Sequence, residues 1–74
     1  MRMRGRVLKK PFAVGSKSER EAVVFSTGQG EYVLRRLGGN AFQDPELEAL
    51  VGKCIRGEGT LHGYTFILER WEEE

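Results

Sequence analysis

The chain has 74 residues, of which 39% are hydrophobic and 31% charged, and a net charge of +1, a balance that is typical of a small folded domain and excludes a disordered chain. A chain of this length buries only about 60–65% of its unfolded surface, and its single cysteine, Cys54, excludes an intrachain disulfide. We therefore expect residues 1–74 to form a single domain that is reinforced by closure into a barrel or by a partner subunit.

The first predicted strand covers residues 1–10, where apolar and basic side chains alternate. Met3, Gly5 and Val7 fall on one face, which we expect to be buried. The opposite, wet face carries three arginines, Arg2, Arg4 and Arg6. Pro11 lacks an amide donor, so it ends the hydrogen-bonded ladder or confines it to an edge.

A long basic loop and a hairpin follow the first strand. The loop, KKPFAVGSKSER, contains the spelling of a helix capping box, but β-branched residues follow within a turn, so a loop is predicted there. Residues 21–27 form the second predicted strand, Gly28-Gln29-Gly30 form the turn, and residues 31–37 form the third strand.

One helix is predicted, over residues 45–51. Asp44 can cap its free amides, and the proline that follows suits the first helical position. Gly52 can adopt the left-handed conformation that ends the helix. Because a helix this short is stable only when it packs against something, we expect Leu47 and Leu50 to be buried against the barrel.

Residues 53–61 and 64–71 form the last two predicted strands, joined by a turn at His62-Gly63. Gly57 and Gly59 share one face of the fourth strand. Glycine weakens the packing of a strand, but it lets the strand bend sharply or lets another backbone come close. The two glycines therefore predict a strand that coils around a narrow barrel interior.

The order strand, strand, strand, helix, strand, strand resembles the OB-fold, a five-stranded Greek-key barrel. The segments that carry the resemblance are the helix DPELEALVG, the strand KCIRGEGTL and the final strand YTFILERW. The chain looks like small bacterial OB-like barrels, some of which have no assigned function. The resemblance implies a mainly β fold, with a closed barrel of five strands and one short helix between strands 3 and 4. A six-stranded or SH3-like barrel is the alternative.

No arrangement of residues in the sequence predicts an enzyme, a cofactor or a metal site. The glycines of GQG and GEG do not complete a phosphate-binding motif and do not precede a helix. His62 lies in a turn without an oriented partner, and Cys54 is expected to be a small, half-buried side chain. The acidic residues 72–74 are interpreted as a solvated tail.

Arg35 and Arg36 are adjacent in the third strand and therefore point to opposite faces. Both faces are otherwise apolar, so one arginine lies at a barrel end or is partly buried and paired with a carboxylate. Glu58 and Glu69, on the last two strands, are the predicted partners. Contact of this arginine with a ligand is the alternative.

Positive charge is concentrated in the first half of the chain. Residues 1–37 contain nine Lys and Arg but three Asp and Glu, a balance of +6, whereas residues 38–74 contain three and eight, a balance of −5. If the halves interleave in one barrel, much of this charge cancels in cross-strand pairs. If they occupy separate faces, a basic face is left that could bind a polyanion.

The candidate ligand-binding residues are the cations of the first half and one aromatic residue of the first loop: Arg4, Arg6, Lys9, Lys10, Phe12, Lys17, Arg20, Arg35 and Arg36. OB-folds bind single strands on the outer face of strands two and three, between loops 1–2 and 4–5, and combine basic groups with aromatic rings. Phe25 and Tyr32 are more economically interpreted as core residues.

These observations predict a small non-enzymatic binding module without a cofactor. Its predicted ligand is single-stranded nucleic acid or another polyanion, bound through the basic N-terminal surface, and the alternative is a protein-interaction module or a homo-oligomer subunit. No apolar run exceeds four or five residues, so no transmembrane segment is expected. The unpaired thiol and the lack of an apolar stretch of signal-peptide length near the start predict a cytoplasmic location.

Overall fold

The structure of the protein is a computed structural model that describes residues 1–11, 21–39 and 44–74. The predicted loop between the first two strands falls, for residues 12–20, outside the described residues. The elements are, in chain order, β1 (Arg2–Pro11), β2 (Glu21–Thr27), β3 (Gly30–Arg36), α1 (Pro45–Leu50), β4 (Cys54–His62) and β5 (Thr65–Glu73). Within the described ranges, no helix is long and apolar enough to cross a membrane.

The fold is mainly β, with five strands in one sheet and one short helix between β3 and β4. The sheet closes on itself in the order β1-β2-β3-β5-β4. Strand β1 pairs with β2 and with β4, β2 pairs with β3, and β4 pairs with β5, all of them antiparallel. A fifth, parallel pair joins β3 to β5 and closes the circle.

The interior is filled by apolar side chains from all five strands and from α1. The rings of Phe25 and Phe66 lie at its centre with their centroids 5.5 Å apart. Leu47 and Leu50 of α1 belong to the same buried cluster, which confirms that the helix packs against the barrel. Since α1 has only six residues, this packing is what holds it in place.

The two glycines of β4 are buried, as their positions predict. A side chain at Gly59 would collide with the backbone carbonyl of Ile67 on β5, and the pairing of β4 with β5 shifts register between Glu58 and Gly59. At Gly57, a Cβ atom would lie 2.5 Å from Cδ1 of Leu68. Fixed backbone therefore leaves no room for a side chain at Gly59, whereas a side chain at Gly57 would require Leu68 to shift.

Candidate nucleic-acid interface

The arginines at the start of β1 form ion pairs with carboxylates of the second half of the chain. Arg4 makes a forked contact with Glu74, with Nε 3.1 Å from Oε1 and Nη2 2.8 Å from Oε2. The hydrogen bonds of this fork raise the pKa of Arg4. Arg2 Nε lies 3.4 Å from Oε1 of Glu58. The basic face expected along β1 is thus interleaved with negative charge.

The lysines at the other end of β1 are paired in the same way. Lys9 Nζ donates to Glu48 of α1 at 2.9 Å, which raises the pKa of Lys9. Lys10 Nζ donates to Glu31 of β3 at 2.5 Å, and this hydrogen bond lowers the pKa of Glu31. Both pairs are partly open to solvent, so they contribute little to stability.

Arg36 is the partly buried arginine of β3. The prediction that it pairs with Glu58 or Glu69 is wrong. Its Nε donates to Oδ2 of Asp44 at 2.9 Å, and Nη1 lies 3.4 Å from Oε2 of Glu46. Arg36 ends β3 and Asp44 caps α1, so the pair fastens the strand to the helix. The predicted partner Glu58 contacts Arg2 and Arg70 instead.

The other predicted partner of Arg36, Glu69, accepts a hydrogen bond from Oγ1 of Thr60 at 3.3 Å. Arg35 is exposed, as is Arg6, and neither forms an ion pair with another described residue. Phe12, Lys17 and Arg20 lie outside the described residues. Of the described members of the predicted set, Arg4, Arg6 and Lys10 share the outer face of β1 and Arg35 lies on the outer face of β3. Lys9 and Arg36 are on the opposite faces of these strands and pair with Glu48 and Asp44.

The outer face of β2 and β3, where the OB resemblance places a bound strand, is of mixed character and lacks an aromatic side chain in the described segments, since Ser26, Glu31 and Arg35 share it with valines. Val24 of β2 is fully buried although it points away from Phe25, and its partner Val33 of β3 is half-buried. Phe25 and Tyr32 contribute to the interior, which confirms their interpretation as core residues. Tyr64 is an exposed aromatic residue beside β3, and its backbone carbonyl accepts a hydrogen bond from the Val33 amide at 2.7 Å.

A wide cleft of about 1070 Å³ lies elsewhere on the barrel, between the β2–β3 turn and the end of β5. Met3, Gly57 and Trp71 are successive partners across β1, β4 and β5, so they form one row of its lining. Residues 27–29 line it from the side of the turn. Trp71 is half-buried and packs partly against the core, which fixes the position of its ring.

Four arginines from the same three strands also line this cleft: Arg2, Arg4, Arg56 and Arg70. Their side chains are 60% to 83% exposed, so they remain accessible to a ligand even while they contact carboxylates. We call this site the arginine–tryptophan cleft. Sequence reasoning missed Arg56, Arg70 and Trp71 because they belong to the acidic half of the chain. The alternation of β4 carries a signal for one of them, since it places Arg56 on the exposed face of the strand, between Ile55 and Gly57.

The last residues of the chain are part of the sheet, so their interpretation as a solvated tail is wrong. β5 continues to Glu73, and the amide of Glu74 donates to the Cys54 carbonyl at 2.9 Å. Three cations lie within ion-pair distance of these carboxylates: Arg56 with Glu72 at 3.2 Å, Lys53 with Glu73 at 2.8 Å and Arg4 with Glu74 at 2.8 Å.

The remaining chemistry-bearing groups do not form a site. His62 is exposed at the end of β4, and Cys54 is half-buried with a free thiol. Among the residues that the structure describes, no three His, Cys, Asp or Glu side chains come together as a possible metal site. The cleft brings to one end of the barrel the half-buried ring of Trp71 and exposed guanidinium groups from the outer face of the same strands.

Comparison of the chain with protein-family models, with curated proteins and with solved structures finds no match.

Proposed function

We propose that the protein is a non-enzymatic barrel of OB-like topology that binds single-stranded nucleic acid in the arginine–tryptophan cleft. The topology is supported by the strand order β1-β2-β3-β5-β4, the parallel pairing of β3 with β5 and the position of α1 between β3 and β4. The free thiol of Cys54 fits the reducing cytoplasm as the location.

One observation carries the proposed ligand: an open cleft at the barrel end is lined both by Trp71, on the interior side of β5, and by four exposed arginines on the outer side of the strands. Surfaces that bind single strands combine cationic groups, which contact phosphates, with aromatic rings on which bases stack. Stacking contributes about 1 to 3 kcal/mol per base and accepts any base. Exposed ion pairs between arginine and carboxylate are weak, so a phosphate can replace the carboxylate.

The cleft fits this ligand better than the other basic groups of the described chain do. Lys9 and Lys10 are also paired and partly exposed, but no aromatic residue lines their surroundings in the described segments of β2 and β3 apart from the core rings. A protein partner remains the second candidate, because Glu58, Glu69 and Glu72 give the cleft a lining of mixed charge. Its test is included in the same experiment.

The fluorescence of Trp71, the only tryptophan, reports directly on the cleft. We expect single-stranded DNA or RNA to quench it. Each phosphate contact contributes about −0.7 to the log–log salt slope, so four contacts predict an affinity about 50-fold weaker at about 200 mM than at about 50 mM salt. No binding near about 100 μM at low salt, together with a stable dimer mass in light scattering, would contradict the proposal and favour an interaction module or homo-oligomer.

Matched variants locate the site. Arg56→Gln/Arg70→Gln removes two positive charges from the cleft, and Lys9→Gln/Lys10→Gln removes two from the other end of β1. The first double variant is expected to weaken binding and to reduce the salt slope by about 1.4, and the second to change both only slightly. The reverse result would move the site to the basic loop predicted from the sequence. Phe12→Ala would then be the variant to measure.

A further inference from the structure

We propose that the carboxylates at the end of β5 act as a built-in competitor that lowers the affinity of the arginine–tryptophan cleft for phosphates. The inference rests on the proposed function. Its starting point is the pairing of β1 with β4, which places Arg4 directly opposite Arg56. Like charges in directly opposite positions of an antiparallel pair repel each other. Glu74 and Glu72 each neutralise one of them, at 2.8 and 3.2 Å.

These carboxylates are held over the arginines by the sheet. Glu72 is a register partner of Arg56, and the amide of Glu74 donates to Cys54 of β4 at 2.9 Å. Since the backbone is fixed, the carboxylates remain near Arg4 and Arg56 at all times and compete at a high effective concentration. A phosphate can nevertheless replace them, because only side-chain rotation is needed to release each arginine.

The two carboxylates differ in how strongly they hold their arginines. The Glu74 side chain is 29% exposed and binds Arg4 through a fork, whereas the Glu72 side chain is 77% exposed and makes a single contact with Arg56. Forked pairs between arginine and carboxylate are the stronger kind. We therefore expect Glu74 to be the stronger competitor, and Arg56 to be the first arginine that a phosphate reaches.

Removing the competing charges without changing side-chain size tests the inference. Glu72→Gln/Glu74→Gln is expected to tighten binding of single-stranded DNA or RNA about tenfold, since two exposed ion pairs together contribute about the free energy of one tenfold step. Glu74→Gln alone is expected to account for most of the gain. Circular dichroism checks the fold, and the two single variants replace the double one if it unfolds.

Glu31→Gln/Glu48→Gln is the matched control, because it removes the same charge and also releases two cations, Lys10 and Lys9, away from the cleft. We expect the control to bind like the wild type. If both double variants gain affinity equally, the effect is due to net charge alone, and the inference is overturned. Wild-type binding that neither variant changes would also overturn it but leave the proposed function standing. No binding by all three proteins would overturn both.

Discussion

Replacing Asp44 measures how much the junction between β3 and α1 stabilises the fold. Its carboxylate is buried, accepts two hydrogen bonds from Arg36 at 2.9 and 3.2 Å, and accepts the amide of Glu46 at 3.1 Å as the helix cap. Asn caps a helix about as well as Asp, so Asp44→Asn removes the charge and keeps the cap, whereas Asp44→Ala removes both. We expect the free energy of unfolding to fall by about 1 kcal/mol for Asn and about 2 to 4 kcal/mol for Ala.

Urea unfolding followed by Trp71 fluorescence measures these losses, and its dependence on pH isolates the charge. The hydrogen bonds from Arg36 hold the pKa of Asp44 below its ordinary value of 3.8. A carboxyl group with a lowered pKa in the folded state stabilises the fold above the unfolded pKa, and this contribution is lost as the pH falls through the folded pKa. The wild type should therefore lose more stability below about pH 4 than Asp44→Asn does. Equal acid sensitivity, or an Ala variant as stable as the Asn variant, would refute this reasoning.

Two further changes test the packing. Leu50→Ala is expected to lower the free energy of unfolding by about 2 to 4 kcal/mol, and a loss below about 1 kcal/mol in chemical denaturation would mean that α1 is peripheral to the core. Gly59→Ala should lower the thermal unfolding midpoint more than Gly57→Ala, because its methyl group meets the fixed carbonyl of Ile67, whereas at Gly57 it meets the end of the Leu68 side chain, which can rotate. The opposite order would show that the backbone of β5 yields more easily than the core does.

Most of the fold follows from local signals in the sequence. The alternation of β1, the turn glycines and the cap at Asp44 predict the elements to within one or two residues. The parallel pair between β3 and β5 has no local signal, because it joins segments separated by α1 and β4. The end of β5 was also missed, since a run of three glutamates favours solvent unless cations from other strands lie beside it.

The candidate site could be predicted only in part, for a related reason. Composition identifies the cations, but their partners depend on register, which brings Arg4 to Glu74 at the far end of the chain. Arg36 and Asp44 are only eight positions apart, and the helix cap at Asp44 was recognised. Their pairing could have been inferred from the short connection between strand and helix. Arg56 and Arg70 are not indicated by composition, because residues 38–74 are acidic on balance.

In the barrel, cations from the basic first half of the chain form ion pairs with carboxylates from the acidic second half. The charge of each half therefore does not describe the surface that a ligand would contact. Arg2, Arg4 and Arg56 have carboxylate partners, whereas Arg6 and Arg35 form no ion pair with another described residue, so a polyanion would meet paired and unpaired arginines. Affinity then depends on which pairs exchange most easily and on what else lies beside them. The proposed site would favour exchange because its arginines are mostly exposed, and Trp71 lines the same cleft from the interior side of β5. The lysine pairs of β1 have similar charge, so the proposed function distinguishes the two surfaces by stacking on Trp71 and not by charge alone.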